Sequence, residues 1–375
     1  CKAEANALNR QTGDLKRAGK VDEAEKIMAR TSELKVMERE LNEKQKQIEK
    51  EVQAILVTVP NTPSFKVPAG KSAEDNEVVL EEGKKPELYA GARPHWELTA
   101  QYNIIDFELG VKLTGAGFPV YKGKGARLQR ALINFFLDKA IAAGYYEIQP
   151  PIVVNEDSGY GTGQLPDKEG QMYYINEDKL YLIPTAEVPV TNIYRDVILK
   201  EEELPIKNCG YTPCFRREAG SYGKDVRGLN RLHQFDKVEI VQIVHPSKSY
   251  DILEEMLQHS VGLLRDLELP FRILKLCGGD MSFGSALTYD LEVWSAAQQR
   301  WLEVSSVSNF ETFQTNRLKC RYRDEKGKPQ LAHSLNGSAL ALPRIVAALL
   351  ENNQTEQGIK LPKALVPYCG FEMIN

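Results

Sequence analysis

Apolar residues recur every seven positions near the start of the chain, at Ile27, Leu34, Leu41, Ile48 and Ile55. The neighbouring seam of Ala24, Thr31, Glu38, Gln45 and Val52 is half polar. A stripe of that width suits a long helix in a thin two-stranded coil, not one sunk in a globular core. Leu8 and Leu15 keep the spacing upstream until "KRAGKVDEA", where Gly19 is placed to end one helix and Asp22 to cap the next. Residues 1–60 therefore read as an antiparallel helical hairpin whose first helix is incomplete. Pro60, Pro63 and Pro68 break the helical pattern. A polar, acidic linker is expected over 61–99.

From residue 100 to 375 the pattern mixes periods. Residues 125–143 are amphipathic at helical spacing and stop at Gly144. "YYEIQPPIVV" reads as a strand with a Pro pair, suited to an edge or an interface. "FDKVEIVQIV", "LTYDLEVWSA" and "RWLEVSSVSN" alternate or run apolar as strands do. Helices are expected over 248–266 and 338–353. Strands with interspersed helices and no repeated βαβ winding predict an α+β domain.

Charge and cysteine content narrow the class. The 375 residues carry 48 Lys and Arg against 52 Asp and Glu, a net charge of −4. That excludes a globally basic nucleic-acid binder but leaves room for a local patch. Residues 1–60 hold 12 basic and 11 acidic side chains, and at the hairpin tip Arg10, Lys16, Arg17 and Lys20 face only Asp14. Taken alone, such charge reads as a solvated coil surface. No apolar run approaches the length of a membrane span. The chain opens on Cys1 and not on Met, as a trimmed chain does. Its six cysteines form no CxxC pair, which fits reduced thiols in a cytoplasmic protein and not a zinc site.

One basic cluster stands out. "FRREAGSYGKDVRGLNRLHQF", residues 215–235, sets Arg216, Arg217, Lys224, Arg227 and Arg231 around Glu218, with Gly220, Gly223 and Gly228 between. The flanks, 210–218 and 231–243, read as a strand–loop–strand hairpin. Alternation would then put Arg216 and Glu218 on one face, with Phe235 and Glu239 beside them on the partner strand. A planar guanidinium suits phosphate or carboxylate oxygens, and a ring offers a base a stacking plane. "IPTAEVPVTN" brackets Thr185 and Glu187 between prolines. "WLEVSSVSNF" ends a strand in Glu303, Ser305, Ser306 and Asn309, oxygen donors of the kind Mg²⁺ takes. "LNGSALALPR" reads as a Gly-Ser turn before a helix, with Arg344 after Pro343. "TGAGFPVYKGKGAR" lacks the order of a phosphate loop, and no GxGxxG follows a strand.

Together "PTAEVPVTN", "CFRREAGSYGKDVRGLNRLHQFDKVE", "LCGGDMSFGSALTYDLEVW", "EVSSVSN" and "LNGSALALPR" resemble, in order and spacing, the bacterial-type seryl-tRNA synthetases, a class II aminoacyl-tRNA synthetase family. The resemblance spans essentially the whole chain. It implies an antiparallel sheet flanked by helices, a coiled-coil arm over 1–60 that grips the long variable arm of tRNA(Ser), and a homodimer interface built from 125–153. It implies ATP and L-serine as substrates, Mg²⁺ as cofactor, and tRNA(Sec) as a further acceptor. By resemblance Arg216 meets the ATP α-phosphate and the serine carboxylate, Glu218 the adenine, and Phe235 the face of the base. Arg344 covers the other face near the terminal phosphates. Arg217, Val304 and Ser305 complete the ATP site, and Glu303 and Ser306 hold the metal. Thr185, Ala186 and Glu187 receive the serine ammonium, and Glu239 and Ser338 surround its hydroxyl. The loop charges Lys224, Arg227 and Arg231 are placed to meet the tRNA acceptor end.

The implied reaction is serine activation to seryl-adenylate and transfer to the tRNA 3′ end. Alternatives are a synthetase-like protein that kept the fold for binding alone and an arm-less relative that charges a carrier protein. The intact Arg216, Glu218, Glu239, Glu303 and Arg344 oppose the first, and the heptads of 1–60 oppose the second. Two departures from the family are visible. Arg217 stands where many relatives have serine, and Ala339 where they have a second glycine. In a strand Arg217 would alternate away from Arg216, off the site.

Overall fold

The computed structural model describes residues 2–167, 169–218 and 227–375, which form two compact units, Cys1–Pro60 and Asn61–Asn375. The first is a helical hairpin of α1 (Lys2–Arg17) and α2 (Val21–Leu56). The three-residue turn between them makes the helices antiparallel, and Lys2 lies beside Glu38 and Glu4 beside Arg30 in that alignment. The contact seam is made mostly of small and polar residues, with one leucine: Ala5 and Thr12 bury against the Ala24, Thr31 and Leu34 side of α2. Both threonine hydroxyls donate to their own helices, to Leu8 O and Ile27 O at 2.8 Å, so the polar half of the seam leaves no donor stranded. Leu41, Ile48 and Ile55 stay exposed. The cap before α2 is Lys20 and not Asp22, which falls in the first turn, where its charge still favours the helix dipole.

In the second unit the elements run β1 (Glu77–Glu82), α3 (His95–Gln101), α4 (Gly123–Ala142), β2 (Tyr146–Glu147), α5 (Glu187–Asn192), β3 (Ile206–Phe215), β4 (Gln234–Val244), α6 (Ser249–Asp266), β5 (Phe271–Lys275), β6 (Leu287–Ser295), β7 (Arg300–Glu311), α7 (Phe313–Leu318), β8 (His333–Ala341) and α8 (Leu342–Asn352), with shorter pieces between. The eight strands form one sheet in the order β1-β5-β6-β7-β8-β4-β3-β2. Every pair is antiparallel except β2 with β3. Residues 61–99 do more than connect: β1 forms the sheet's edge strand, and Asn61 is bound to the backbone of Phe283, Gly284 and Phe310.

The helical stripe of α4 buries Leu128, Leu132, Phe135 and Phe136. Each such side chain contributes roughly 1.5–3 kcal/mol. They join Leu253, Leu257 and Leu264 of α6 and the apolar side of α8 in one core with the sheet. Two expected boundaries move. Gly337 and Ser338 lie inside β8 and not in a turn, so the last helix starts at Leu342 and not at 338. A Cβ at Gly337 would sit 3.2 Å from Val307, so the neighbouring strand explains the small residue there. The hairpin's first strand stops at Phe215, so Arg216 and Glu218 leave the ladder, Glu218 at φ +48°.

Candidate active site

Alternate residues of β4, namely Phe235, Lys237 and Glu239, point into a cavity of about 560 Å³, a size that suits a small-molecule site. The register sets Glu239 opposite Gly210 of β3 and Ser338 of β8. Glu239 is buried, and its Oε2 takes the Lys237 ammonium at 2.6 Å and the Thr185 hydroxyl at 3.3 Å. Burial pushes this carboxyl up, while Lys237 and Thr185 pull it back. No hydrogen bond from the described residues reaches its Oε1.

A second buried carboxyl lies at the start of α5. The Glu187 N–H donates to Thr185 Oγ at 3.2 Å, and Glu187 Oε1 accepts from Gln314 Nε2 at 2.6 Å. The Gln314 amide is itself oriented by Ser334, whose hydroxyl donates to its oxygen at 2.7 Å. Burial and the nearby Glu239 charge push Glu187 up to about 7. Ala186, between the two, is wholly buried against Val190 and Val241 and does not line the cavity.

The other end of the cavity carries the guanidinium groups, with Glu218 and Glu303 among them. The Arg216 guanidinium lies 5.2 Å from the Phe235 ring centre, and its Nε donates to Pro184 O at 3.3 Å. Arg217 turns away: its N–H donates to Gln171 O, its side chain covers Tyr173, and it does not line the cavity. Arg344 donates from Nε to Asn230 O at 2.9 Å and from Nη1 to Glu303 O at 2.8 Å. The expected loop cations are not alike. Arg231 binds Glu218 at 2.8 Å and Arg227 stacks on Trp96 at 4.5 Å, while Lys224 lies outside the described residues.

Glu303 and Ser306 are three residues apart and would face opposite ways in a regular strand. The ladder between β6 and β7 slips at Val304, because Glu292 pairs with Glu303 and Leu291 with Ser305. That bulge returns both side chains to one face, with Ser306 Oγ 3.5 Å from Glu303 Oε1 and 2.5 Å from Asp290 Oδ1. Burial and the Glu303 charge hold Asp290 well above the usual carboxylate range. Ser305 donates to Ser338 O at 2.6 Å and so ties β7 to β8.

All the residues expected to form the site therefore line this cavity except Arg217, Ala186 and Asn309, whose buried amide instead donates to Ser249 Oγ at 3.1 Å. Three residues that matter to its chemistry were not foreseen: Lys237, Gln314 and Asp290. Lys237 shares the parity of Phe235 and Glu239, a signal legible in "FDKVE". The other two are brought in by α7 and by the strand beside β7, and local sequence carries no trace of either contact.

Two family models match the chain. Residues 172–353 match the tRNA synthetase class II core domain (G, H, P, S and T), and residues 1–63 match the seryl-tRNA synthetase N-terminal domain. The serine–tRNA ligase of Salinibacter ruber is 55% identical over 99% of this chain and 87% of its own. That of Geobacter sulfurreducens is 48% identical over 98% and 87%. The chain belongs to the seryl-tRNA synthetase family. Among solved structures, the seryl-tRNA synthetase from Pyrococcus horikoshii complexed with ATP superposes with a TM-score of 0.91 at 31% identity, over all of this chain and 88% of that one. The cytoplasmic serine–tRNA ligase from Naegleria fowleri in complex with AMP gives 0.86 at 27% identity, with the same coverage. A prolyl-tRNA synthetase from Giardia lamblia shares the fold at 15% identity. Fold and sequence thus agree on a class II synthetase of the seryl family, and no helix of the described residues is long and apolar enough to cross a membrane.

Proposed function

We propose that this chain is a serine–tRNA ligase whose cavity activates L-serine with ATP and transfers it to the 3′ end of tRNA(Ser). The observation that carries the reading is the cavity's division into a carboxyl end and a guanidinium end, joined by one strand. Serine is a small zwitterion with a hydroxyl. Its ammonium goes to Glu187 and Thr185, and its hydroxyl to the open Oε1 of Glu239 beside Ser338. Its carboxylate then points toward Arg216. ATP occupies the other end, its base on Phe235 under Arg344 and near Glu218.

The serine carboxylate oxygen attacks the α-phosphorus, the bond to pyrophosphate breaks, and the adenylate forms. No protein nucleophile is needed, so rate comes from alignment and from neutralising charge on the transferring group. Arg216 and Arg344 do this. A ribose hydroxyl of the tRNA terminus next attacks the carbonyl, and AMP leaves. The donor set of Glu303, Ser306 and the adjoining Asp290 is all oxygen, which fits Mg²⁺ bound by few protein ligands and by phosphates. When bound there, the ion neutralises phosphate charge. The hairpin of residues 1–60 grips the tRNA, with tRNA(Sec) a second acceptor, in the cytoplasm. Tyr146, Ile141 and Ile152, exposed around the sheet's end strand β2, support a homodimer through that edge.

Serine binding should be linked to protons. The groups facing Glu187 are Glu239, Lys237, Arg216 and the Gln314 amide. With its folded value near 7, Glu187 holds a proton in the empty site at pH 6, and an arriving ammonium expels it. Serine affinity should fall toward tenfold per pH unit below about 7, with close to one proton released at pH 6 and few at pH 8. Stability of the empty protein runs the other way. A raised carboxyl contributes below its unfolded value of 4.5 and loses that contribution as pH climbs through 7. Titration calorimetry in two buffers at pH 6 and 8 checks this; equal affinity at both would remove Glu187 from the ammonium site. The function as a whole is tested by charging a tRNA(Ser) transcript with labelled serine. Full exchange activity without charging would confine the reading to the first half-reaction.

A further inference from the structure

His95 opens α3, does not itself line the cavity, and is fully buried against a fully buried carboxylate of α8. Its ring Nδ1 lies 2.7 Å from Glu351 Oε1, and its backbone N–H donates to the same oxygen at 3.0 Å. Glu351 also accepts from Ser295 and from Gln298 Nε2. Burial alone would raise this carboxyl, but the hydrogen bonds from His95 and Ser295 leave it below its ordinary value. An acceptor on one side of the ring places the proton on Nδ1. The lone pair of Nε2 then accepts from the Leu229 N–H at 2.8 Å. The ring rests directly on the chain there: Gly228 has φ +64°, and a Cβ on it would come within 2.2 Å of His95 Nε2.

What this pair holds is the return limb of the basic hairpin. Arg227 stacks on Trp96, the residue after His95. Asn230 donates to Gln298, which binds Glu351 in turn. From the same short segment the Asn230 carbonyl accepts from Arg344, and Arg231 donates to the Glu218 carboxylate. One side of residues 227–231 is thus fastened to α3, α8 and the turn after β6, while the other side orients two groups at the nucleotide end of the cavity.

We infer that His95, oriented by Glu351, is a positioning residue for nucleotide binding, acting through the Leu229 N–H and the Asn230–Arg344 bond. The inference rests on the proposed ligase reading. Without an acceptor at Nε2 the buried Leu229 N–H is stranded, so the segment must shift to find one. Arg344 would shift with it, and small misplacements of such groups weaken binding and turnover strongly.

Two variants of the full chain separate the claims. Asparagine at 95 can keep the donor to Glu351 but offers nothing at the Nε2 position, whereas glutamine can return an acceptor there. His95→Asn should raise the KM for ATP in pyrophosphate exchange on the order of tenfold and leave the KM for serine within about twofold. His95→Gln should bring the ATP value back to within about threefold. Hydrogen exchange of the Leu229 amide in ligand-free protein should accelerate in the asparagine variant and recover in the glutamine one. Should His95→Asn not fold, Gln298→Ala cuts the Asn230 link from a half-exposed turn and should raise the ATP value about threefold with serine unchanged. An unchanged ATP value in a folded variant, or equal rises for ATP and serine, would overturn the inference. Loss of exchange in the parent chain would instead overturn the ligase reading.

Discussion

Arg216→Ala is expected to lower serine-dependent pyrophosphate exchange by about 10³-fold or more, while Arg217→Ala stays within a few-fold. The two arginines are adjacent, so composition, net charge and distance along the chain cannot separate them. Geometry does. Arg216 reaches over Phe235 into the cavity, where the proposed reaction brings a carboxylate and a phosphate together against their mutual repulsion. Arg217 covers Tyr173 outside it. Arg216→Lys should recover little, because a point charge cannot span two acceptors as the planar fork does. The check is the exchange rate of purified, folded variants at saturating ATP. Equal losses at 216 and 217 would mean that the basic pair acts as a diffuse charge.

Glu239→Met should collapse serine selection. A buried carboxylate waiting for a hydroxyl discriminates against its absence by roughly 10⁴-fold, because a ligand that lacks the group leaves a buried acceptor unpaired. With methionine there, the ratio of kcat/KM for serine over alanine should fall to within about tenfold. The substitution also strands Lys237, whose ammonium is 2.6 Å from Glu239 in a buried site. Breaking one side of such a pair costs about 3–5 kcal/mol, so a marked fall in Tm should accompany the loss of selection. The double change Lys237→Met with Glu239→Met separates the two effects. Tm should recover, since an apolar pair of similar volume replaces the ions, but selection should not. A serine-over-alanine ratio unchanged in Glu239→Met would remove the residue from recognition.

Local pattern carried much of this. Heptads, alternation and glycine stops are short-range signals, and they located the hairpin, α4, α6 and the long strands close to where they lie. What failed was long-range in origin. Gly337 and Ser338 read as a turn because glycine and serine favour turns, yet the packing of β7 against β8 makes glycine a strand residue there. Strand phase put Arg216 beside Glu218 for the wrong reason, since the ladder had already ended at Phe215. Glu303 and Ser306 meet through a bulge that no alternation rule predicts. The pairing of His95 with Glu351 joins residues 256 positions apart, so nothing near either one announces it. Segment 61–99, read as a linker, turned out to supply both an edge strand and that histidine.

Activation of serine in this cavity is the central claim to test. Pyrophosphate exchange into ATP, measured with the purified chain and each of the twenty amino acids in turn, addresses that directly. Exchange should require serine, with alanine and glycine lower by roughly 10⁴-fold and threonine well below serine. Well-folded protein that exchanges with no amino acid, or as readily with alanine as with serine, would contradict it.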